Sequence, residues 1–209
     1  MKIYPSILSA NEDEFIRKVE AVRPLGLRVH IDVMDGQFVP HKTWADPTVV
    51  EEITEEMPFN VHLMVDDPEH AVMQWADTSA DVVYFHFEAT HRHELIIRST
   101  ERHENIGLAI NPDTPVSAIG HLLDSIDAVL VMSVVPGASG QKFNPTALEK
   151  ITELKRIRPN LWVTVDGGVK PHNIRRIAAA GADAVVVGSA LTDAEYPSLA
   201  LAELQKNLK

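Results

Sequence analysis

The feature that most constrains this chain is a rhythm. Eight short runs rich in Val and Ile recur along its 209 residues, at 3–8, 29–34, 60–65, 82–87, 106–110, 128–134, 162–166 and 184–188. Several are apolar almost throughout, such as Ala184-Val185-Val186-Val187. A strand with one wet face alternates apolar and polar residues. A near-continuous apolar run instead marks a strand covered on both faces, as in a parallel sheet flanked by helices.

The segments between the runs carry helix signals. Ser9-Ala10-Asn11-Glu12 has the spacing of a capping box. Asp67-Pro68, Thr114-Pro115, Asn144-Pro145 and Lys170-Pro171 set proline where a first helical turn tolerates it. Gly181 follows the small-residue run ending at Ala180, as a helix-terminating glycine does. Eight strand–helix units in 209 residues leave about 26 residues each, and the (β/α)₈ TIM barrel is reached at roughly 200 residues. The expectation is one such α/β barrel over residues 1–209. The competing doubly wound sheet normally has a glycine-rich turn after its first strand; here that turn reads Ser6-Ile7-Leu8-Ser9-Ala10. A short internal echo, Ala80-Asp81-Val82-Val83 against Ala182-Asp183-Ala184-Val185, fits a barrel of two similar halves.

Composition narrows the function. The formal net charge is −11, and the sequence has no basic stripe for nucleic-acid phosphates. The same charge cannot steer an anionic substrate inward, so any phosphate must be held by local donors. With no cysteine, disulfides and thiolate chemistry are excluded. Apolar runs are strand-length, and the N-terminus lacks a signal peptide's pattern. The expectation is a cytoplasmic protein, free of membrane and nucleic acid, that forms a homo-oligomer.

In a barrel of this kind functional residues gather at the C-terminal strand ends. The second run carries His30, Asp32 and Met34 on one face, the third His62 and Met64, the fourth His86 and Glu88, and the seventh ends in Asp166-Gly167-Gly168. A lone His or Asp at a strand end is more often a hydrogen-bonded structural group than a ligand. Two His and two Asp at one mouth are another matter, because grouped buried carboxylates are costly without a cation. No Lys or Arg lies on these strands, so a metal is the natural partner: one divalent ion per chain, Zn²⁺ first, with Fe²⁺, Co²⁺ or Mn²⁺ as alternatives. Met34, Met64 and Met132 read first as core filling, yet all three fall beside the proposed metal. Pro136-Gly137-Ala138-Ser139-Gly140, Gly167-Gly168 and Gly188-Ser189 follow the last three runs, and could offer backbone N–H groups to a phosphate.

These residues resemble the ribulose-phosphate 3-epimerase family over nearly the whole chain. The matching segments are Pro5-Ser-Ile-Leu-Ser-Ala10, His30-Ile-Asp-Val-Met-Asp-Gly-Gln-Phe-Val-Pro40, Val61-His-Leu-Met64, His86-Phe-Glu-Ala89, Asn111-Pro-Asp-Thr-Pro115, Met132-Ser-Val134 with Pro136-Gly137, Val165-Asp-Gly-Gly168 and Val187-Gly-Ser-Ala190. The resemblance implies a ribulose-phosphate-binding barrel with His30, Asp32, His62 and Asp166 as metal ligands. It makes Asp32 and Asp166 the acid–base pair, and Ser6 and His62 substrate contacts. Gly137, Ala138, Ser139, Gly140, Gly167, Gly168, Gly188 and Ser189 fall on phosphate or substrate contacts. Two loops depart from the family pattern. Val135-Pro-Gly-Ala-Ser-Gly140 stands where the family usually has Asn-Pro-Gly-Phe-Gly-Gly. His41-Lys-Thr-Trp-Ala-Asp-Pro47 is one residue longer than its counterpart.

The implied reaction interconverts D-ribulose 5-phosphate and D-xylulose 5-phosphate, by two-base proton transfer through a metal-stabilised enediolate. A hexulose 6-phosphate pair, allulose 6-phosphate and fructose 6-phosphate, is the alternative substrate, and a non-catalytic sugar-phosphate-binding barrel the alternative function. A Schiff-base enzyme needs a lysine pointing into the barrel; the lysines nearest the strand ends, Lys142 and Lys170, sit in loops.

Overall fold

The computed structural model describes residues 1–55, 57–100, 106–137 and 140–208. The eight runs are parallel strands that close into a barrel in chain order. They are β1 (Lys2–Ile7), β2 (Val29–Met34), β3 (Phe59–Met64), β4 (Val82–His86), β5 (Ile106–Ile110), β6 (Ala128–Met132), β7 (Trp162–Asp166) and β8 (Ala184–Val187). Helices α1 (Glu12–Val22), α2 (Pro47–Thr54), α3 (Pro68–Ala76), α4 (His93–Ser99), α5 (Val116–Ile119), α6 (Thr146–Ile157), α7 (Ile174–Ala179) and α8 (Ser189–Thr192) follow the strands in turn, and α9 (Pro197–Leu208) comes last. None is long and apolar enough to cross a membrane.

Alternation along each strand builds two cores. Residues such as Ile31, Leu63, Phe85, Val131 and Val165 point outward and are buried beneath the helices. Tyr84, Ala109, Leu130, Met132 and Val186 point inward and fill the barrel. Tyr84 is a large inner side chain that reaches Thr164 Oγ1 at 3.1 Å across the interior. It fits because Gly107 faces it: a Cβ at 107 would lie 2.5 Å from the Tyr84 ring. Tyr84 thus fills the interior below the C-terminal mouth, where the polar residues collect.

The boundaries refine the sequence expectations. The run 128–134 leaves the ladder after Met132. Beyond it the Ser133 N–H donates to Asp166 O at 2.8 Å, and the Ser133 hydroxyl to Gly167 O at 2.5 Å. The first helix starts later than the Ser9 pattern predicts. Asn11 is the N-cap, accepting from Glu14 N at 2.9 Å, while the Glu14 carboxylate accepts from Ala10 N at 2.8 Å. The cap lies two residues beyond Ser9, and Glu14 takes the N–H of the residue before the N-cap where a capping box would take that of the cap itself; a cap of this kind is worth about 1 kcal/mol. Pro68 does occupy a first helical position, but Pro115 and Pro145 are N-caps, and Pro171 lies in the turn before α7. Gly181, at φ +106°, follows α7's C-cap Ala180 as expected.

Candidate active site

Strand register assembles the mouth. In β2 and β3, His30 pairs with Asn60, Asp32 with His62, and Met34 with Met64. Ser6 of β1 pairs with His30, and Met132 of β6 with Asp166 of β7. Each pairing sets two inward side chains beside each other. His30, Asp32, His62 and Asp166 consequently each place a ligand atom within 4.8 Å of all the others.

Asp32 sits at the centre. Its Oδ2 accepts from the Ser6 hydroxyl at 2.5 Å, and its Oδ1 lies 3.0 Å from His62 Nδ1 and 3.8 Å from His30 Nε2. Asp166 Oδ2 is 3.9 Å from His62 Nδ1. Burial pushes the Asp32 carboxyl above its ordinary value against the pull of His30 and Ser6. Burial, then the Asp32 charge, raises Asp166 much further. Burial depresses His30 to about 4 and takes His62 well below its usual range, with neighbouring His86 adding to the second shift. The site therefore favours neutral imidazoles beside carboxyls that resist ionising together.

The donor set fits a divalent transition metal. Neither ring nitrogen of His30, which is fully buried, has a hydrogen-bond partner among the described residues. A buried imidazole without partners is costly unless something ligates it. Two neutral imidazoles and two carboxylates supply the nitrogen and oxygen atoms such an ion takes.

Above this cluster lies a cavity of about 130 Å³, small by the standard of ligand pockets and suited to one small molecule. Ser6, Asp32, Met34, Met64, Met132 and Asp166 line its floor; His30 and His62 lie buried behind them. Gly137, Gly140, Gly167, Gly168, Gly188 and Ser189 line its other wall. Ala138 and Ser139 lie outside the described residues. Gly168 sits at φ +61°, and a Cβ there would come 2.4 Å from Phe143 N. Only glycine lets the two loops touch so closely. At Gly188 a Cβ meets no atom within 4 Å.

Sequence reasoning left several neighbours without a role. Lys18, reaching from α1, lines the cavity and donates to Leu8 O at 2.5 Å, with Glu14 at 3.0 Å; Lys170 lines it too. Thr43, in the longer loop, donates to Asp32 O at 2.9 Å and accepts from Met34 N at 2.8 Å, pinning the end of β2. Asp35 accepts from the N–H groups of Gln37, Phe38 and Asp66 at 2.8, 3.0 and 2.8 Å, tying the β2 and β3 loops. The Asp35-Gly36 pair signals a turn, but Lys18 and Thr43 carry no signal readable from spacing.

Fold and cluster together define an eight-stranded barrel enzyme whose His₂Asp₂ set opens on a small-molecule cavity. The family model for the ribulose-phosphate 3 epimerase family matches residues 2–192, and the chain belongs to that family. It is 40% identical to a chloroplastic ribulose-5-phosphate-3-epimerase of Arabidopsis thaliana, over 92% of this chain and 72% of the relative. It is 39% identical to a ribulose-phosphate 3-epimerase of Schizosaccharomyces pombe, over 99% and 93%. A solved 3-hexulose-6-phosphate synthase of Salmonella typhimurium superposes with TM-score 0.73 at 19% identity, covering 100% of this chain and 98% of that one, which shows the shared fold alone. The chain is thus an epimerase, and the non-catalytic alternative falls away.

Proposed function

We propose that this epimerase is metal-dependent and interconverts D-ribulose 5-phosphate and D-xylulose 5-phosphate. The observation that carries the reading is the pairing of Asp32 and Asp166, carboxyls from β2 and β7 that meet the same two imidazoles within 4.8 Å. The choice of ketose follows the relatives' names.

Inverting a carbon beside a ketone removes a proton from one face and returns one to the other. That takes two acid–base groups on opposite faces. β2 and β7 are separated by β8 and β1 around the closed barrel, so Asp32 and Asp166 approach the cavity floor from different sides. The cycle needs one carboxyl to hold a proton while the other stays bare, the roles passing between them with each turnover. In one direction Asp32 removes the proton and Asp166 delivers one; in the other the roles exchange. Ser6 holds the Asp32 carboxyl in orientation through its bond to Oδ2. A divalent metal held by His30, Asp32, His62 and Asp166, zinc by preference, supplies Lewis-acid stabilisation for the charge developing on the substrate oxygens. Met34, Met64 and Met132 cover the reacting carbons without offering a competing proton. The glycine wall takes the phosphate through backbone N–H groups, with Lys18 and Lys170 supplying positive charge beside it.

The test is a coupled assay of purified protein, with metal content measured alongside, on ribulose 5-phosphate, allulose 6-phosphate and the free ketoses. Ribulose 5-phosphate should be turned over best and the free sugars far worse, since phosphate binding energy helps position the reacting carbon. A preference for the hexulose phosphate would replace the substrate and leave the mechanism. Full turnover by metal-free protein would end the metal reading.

A further inference from the structure

His62 touches the proposed metal position with only one of its nitrogens. Its other nitrogen, Nε2, lies 2.9 Å from Nε2 of His86, and Nδ1 of His86 lies 3.1 Å from Oε2 of Glu88. Both imidazoles are fully buried. The far end of this chain is anchored. Glu88 Oε1 accepts from Asn111 N at 2.8 Å and from the Thr114 hydroxyl. Against the opposing effect of burial, the bonds from His86, Thr114 and Asn111 hold the Glu88 carboxyl below its ordinary value, so both of its oxygens act as acceptors.

Direction follows from that anchor. Glu88 accepts from His86, so His86 carries its proton on Nδ1 and its Nε2 has a lone pair. That lone pair faces His62 Nε2, which must then carry the proton. With a cation between them, the Nδ1 of His62 is left as a bare lone pair directed at Asp32 and Asp166; without one, the 3.0 Å contact to Asp32 Oδ1 requires a proton on one of the two atoms. We propose that Glu88 and His86 are positioning residues that hold His62 in the one tautomer able to ligate the metal. This rests on the metal reading of the cluster. It adds residues that touch neither the metal position nor the cavity wall. Outer hydrogen bonds of this kind commonly orient a ligating imidazole and make it more basic.

E88Q inverts the chain while keeping shape. The Asn111 N–H pins the new amide's oxygen, so its NH₂ turns to His86. His86 then accepts at Nδ1 and donates from Nε2; His62 accepts at Nε2, and its proton moves to Nδ1, the ligating atom. Zinc affinity of the purified full-length protein, measured by competition with a chromophoric chelator, should fall about 10–100-fold in E88Q. Glu88→Asp, which keeps the carboxylate, should recover part of the loss. Nitrogen-15 NMR of the zinc-loaded parent should find protons on His62 Nε2 and His86 Nδ1. A merely structural Glu88 would change thermal stability and leave zinc affinity untouched. Equal zinc affinity in E88Q and parent overturns this inference alone. A parent that binds no zinc overturns the metal reading and the inference with it. Should E88Q not fold, the parent's NMR decides: a proton on His86 Nε2 refutes the proposal.

Discussion

The two walls of the barrel mouth are built on opposite principles. On the β2–β3 side the work falls to side chains. His30, Asp32 and His62 stand on regular strands, buried and fixed by register. On the β6–β8 side the wall is backbone. Gly137, Gly167 and Gly168 hold φ values of +103°, +100° and +61° in loops beyond the strand ends. Asp166 joins the two, a carboxylate on the last residue of β7 followed directly by Gly167. The first wall fails when a side chain is lost, the second when one is added. The reason is chemical. Ligands and acid–base groups must be particular atoms at fixed distances, whereas a phosphate is satisfied by any N–H groups the backbone can bring close.

The largest effects should come from the side-chain wall. Asp32→Asn and Asp166→Asn, compared with metal loaded, should each lower epimerisation in both directions by about 10²–10⁴-fold. In deuterated water the two variants should exchange the proton of opposite epimers, because each retains the carboxyl facing one of them. A metal-loaded Asp166→Asn that epimerises at the parent rate would break the two-carboxylate assignment. His62→Ala should lower metal affinity by more than the about 10–100-fold expected of an outer-sphere change, measured by chelator competition; unchanged metal content would remove His62 from the ligand set.

The same wall predicts a pH dependence. In stripped protein Asp166 binds its proton more tightly folded than unfolded. Its contribution to stability is therefore present at low pH and lost as pH rises through its raised value. His30, depressed to about 4, acts in the opposite sense, since the unfolded imidazole takes up a proton between 6.5 and 4 that the folded one refuses. Asp32, also raised by burial, adds to the Asp166 effect, so the two carboxyls lower the stability of stripped protein as pH rises from the ordinary carboxylate range through their raised values. A metal displaces those protons, and the gap in melting temperature between loaded and stripped protein should widen with pH. A gap independent of pH would mean the metal binds elsewhere.

The backbone wall should show smaller and separable effects. Gly168→Ala collides with Phe143 N and strains a positive φ, which should cost about 1–3 kcal/mol of stability, read in the melting temperature. Gly188→Ala meets no protein atom and projects where the phosphate is proposed to lie. Its melting temperature should change less, while KM for the phosphorylated ketose rises about tenfold, an energy near 1.4 kcal/mol. An unchanged KM would move the phosphate elsewhere. Lys170→Met, an exposed charge at the cavity rim, should raise KM only about two- to threefold, less at high salt. A salt-independent loss would argue for a direct, desolvated contact instead.

How much of this was legible varies by element. Alternation on β2 already put His30, Asp32 and Met34 on one face, and the fold places them there. The echo between 80–83 and 182–185 has a structural basis. The N–H of Asp81 donates to Phe59 O, and that of Asp183 to Val163 O, both at 2.8 Å, each just before an even-numbered strand. The run 128–134 overshoots β6 because hydrophobicity continues to Val134 after the strand ends at Met132. The His86–Glu88 pair was visible as residues on the fourth strand, but nothing in its spacing tied it to His62.

Local pattern alone determined the strands, their order of burial and the face each polar residue takes, because period-two alternation is a property of the backbone itself. Tertiary structure decided what no local pattern carries. Barrel closure brings β7 within reach of β2, so Asp166 meets Asp32 from a position 134 residues further along the chain. Register sets Asp32 against His62 rather than one residue off, where the pair would face opposite sides of the sheet. The proton's position on His62 is settled two hydrogen bonds away, at a carboxylate held by Asn111 and Thr114. Pairing of adjacent strands makes the last two sets neighbours, and barrel closure brings Asp166 to Asp32.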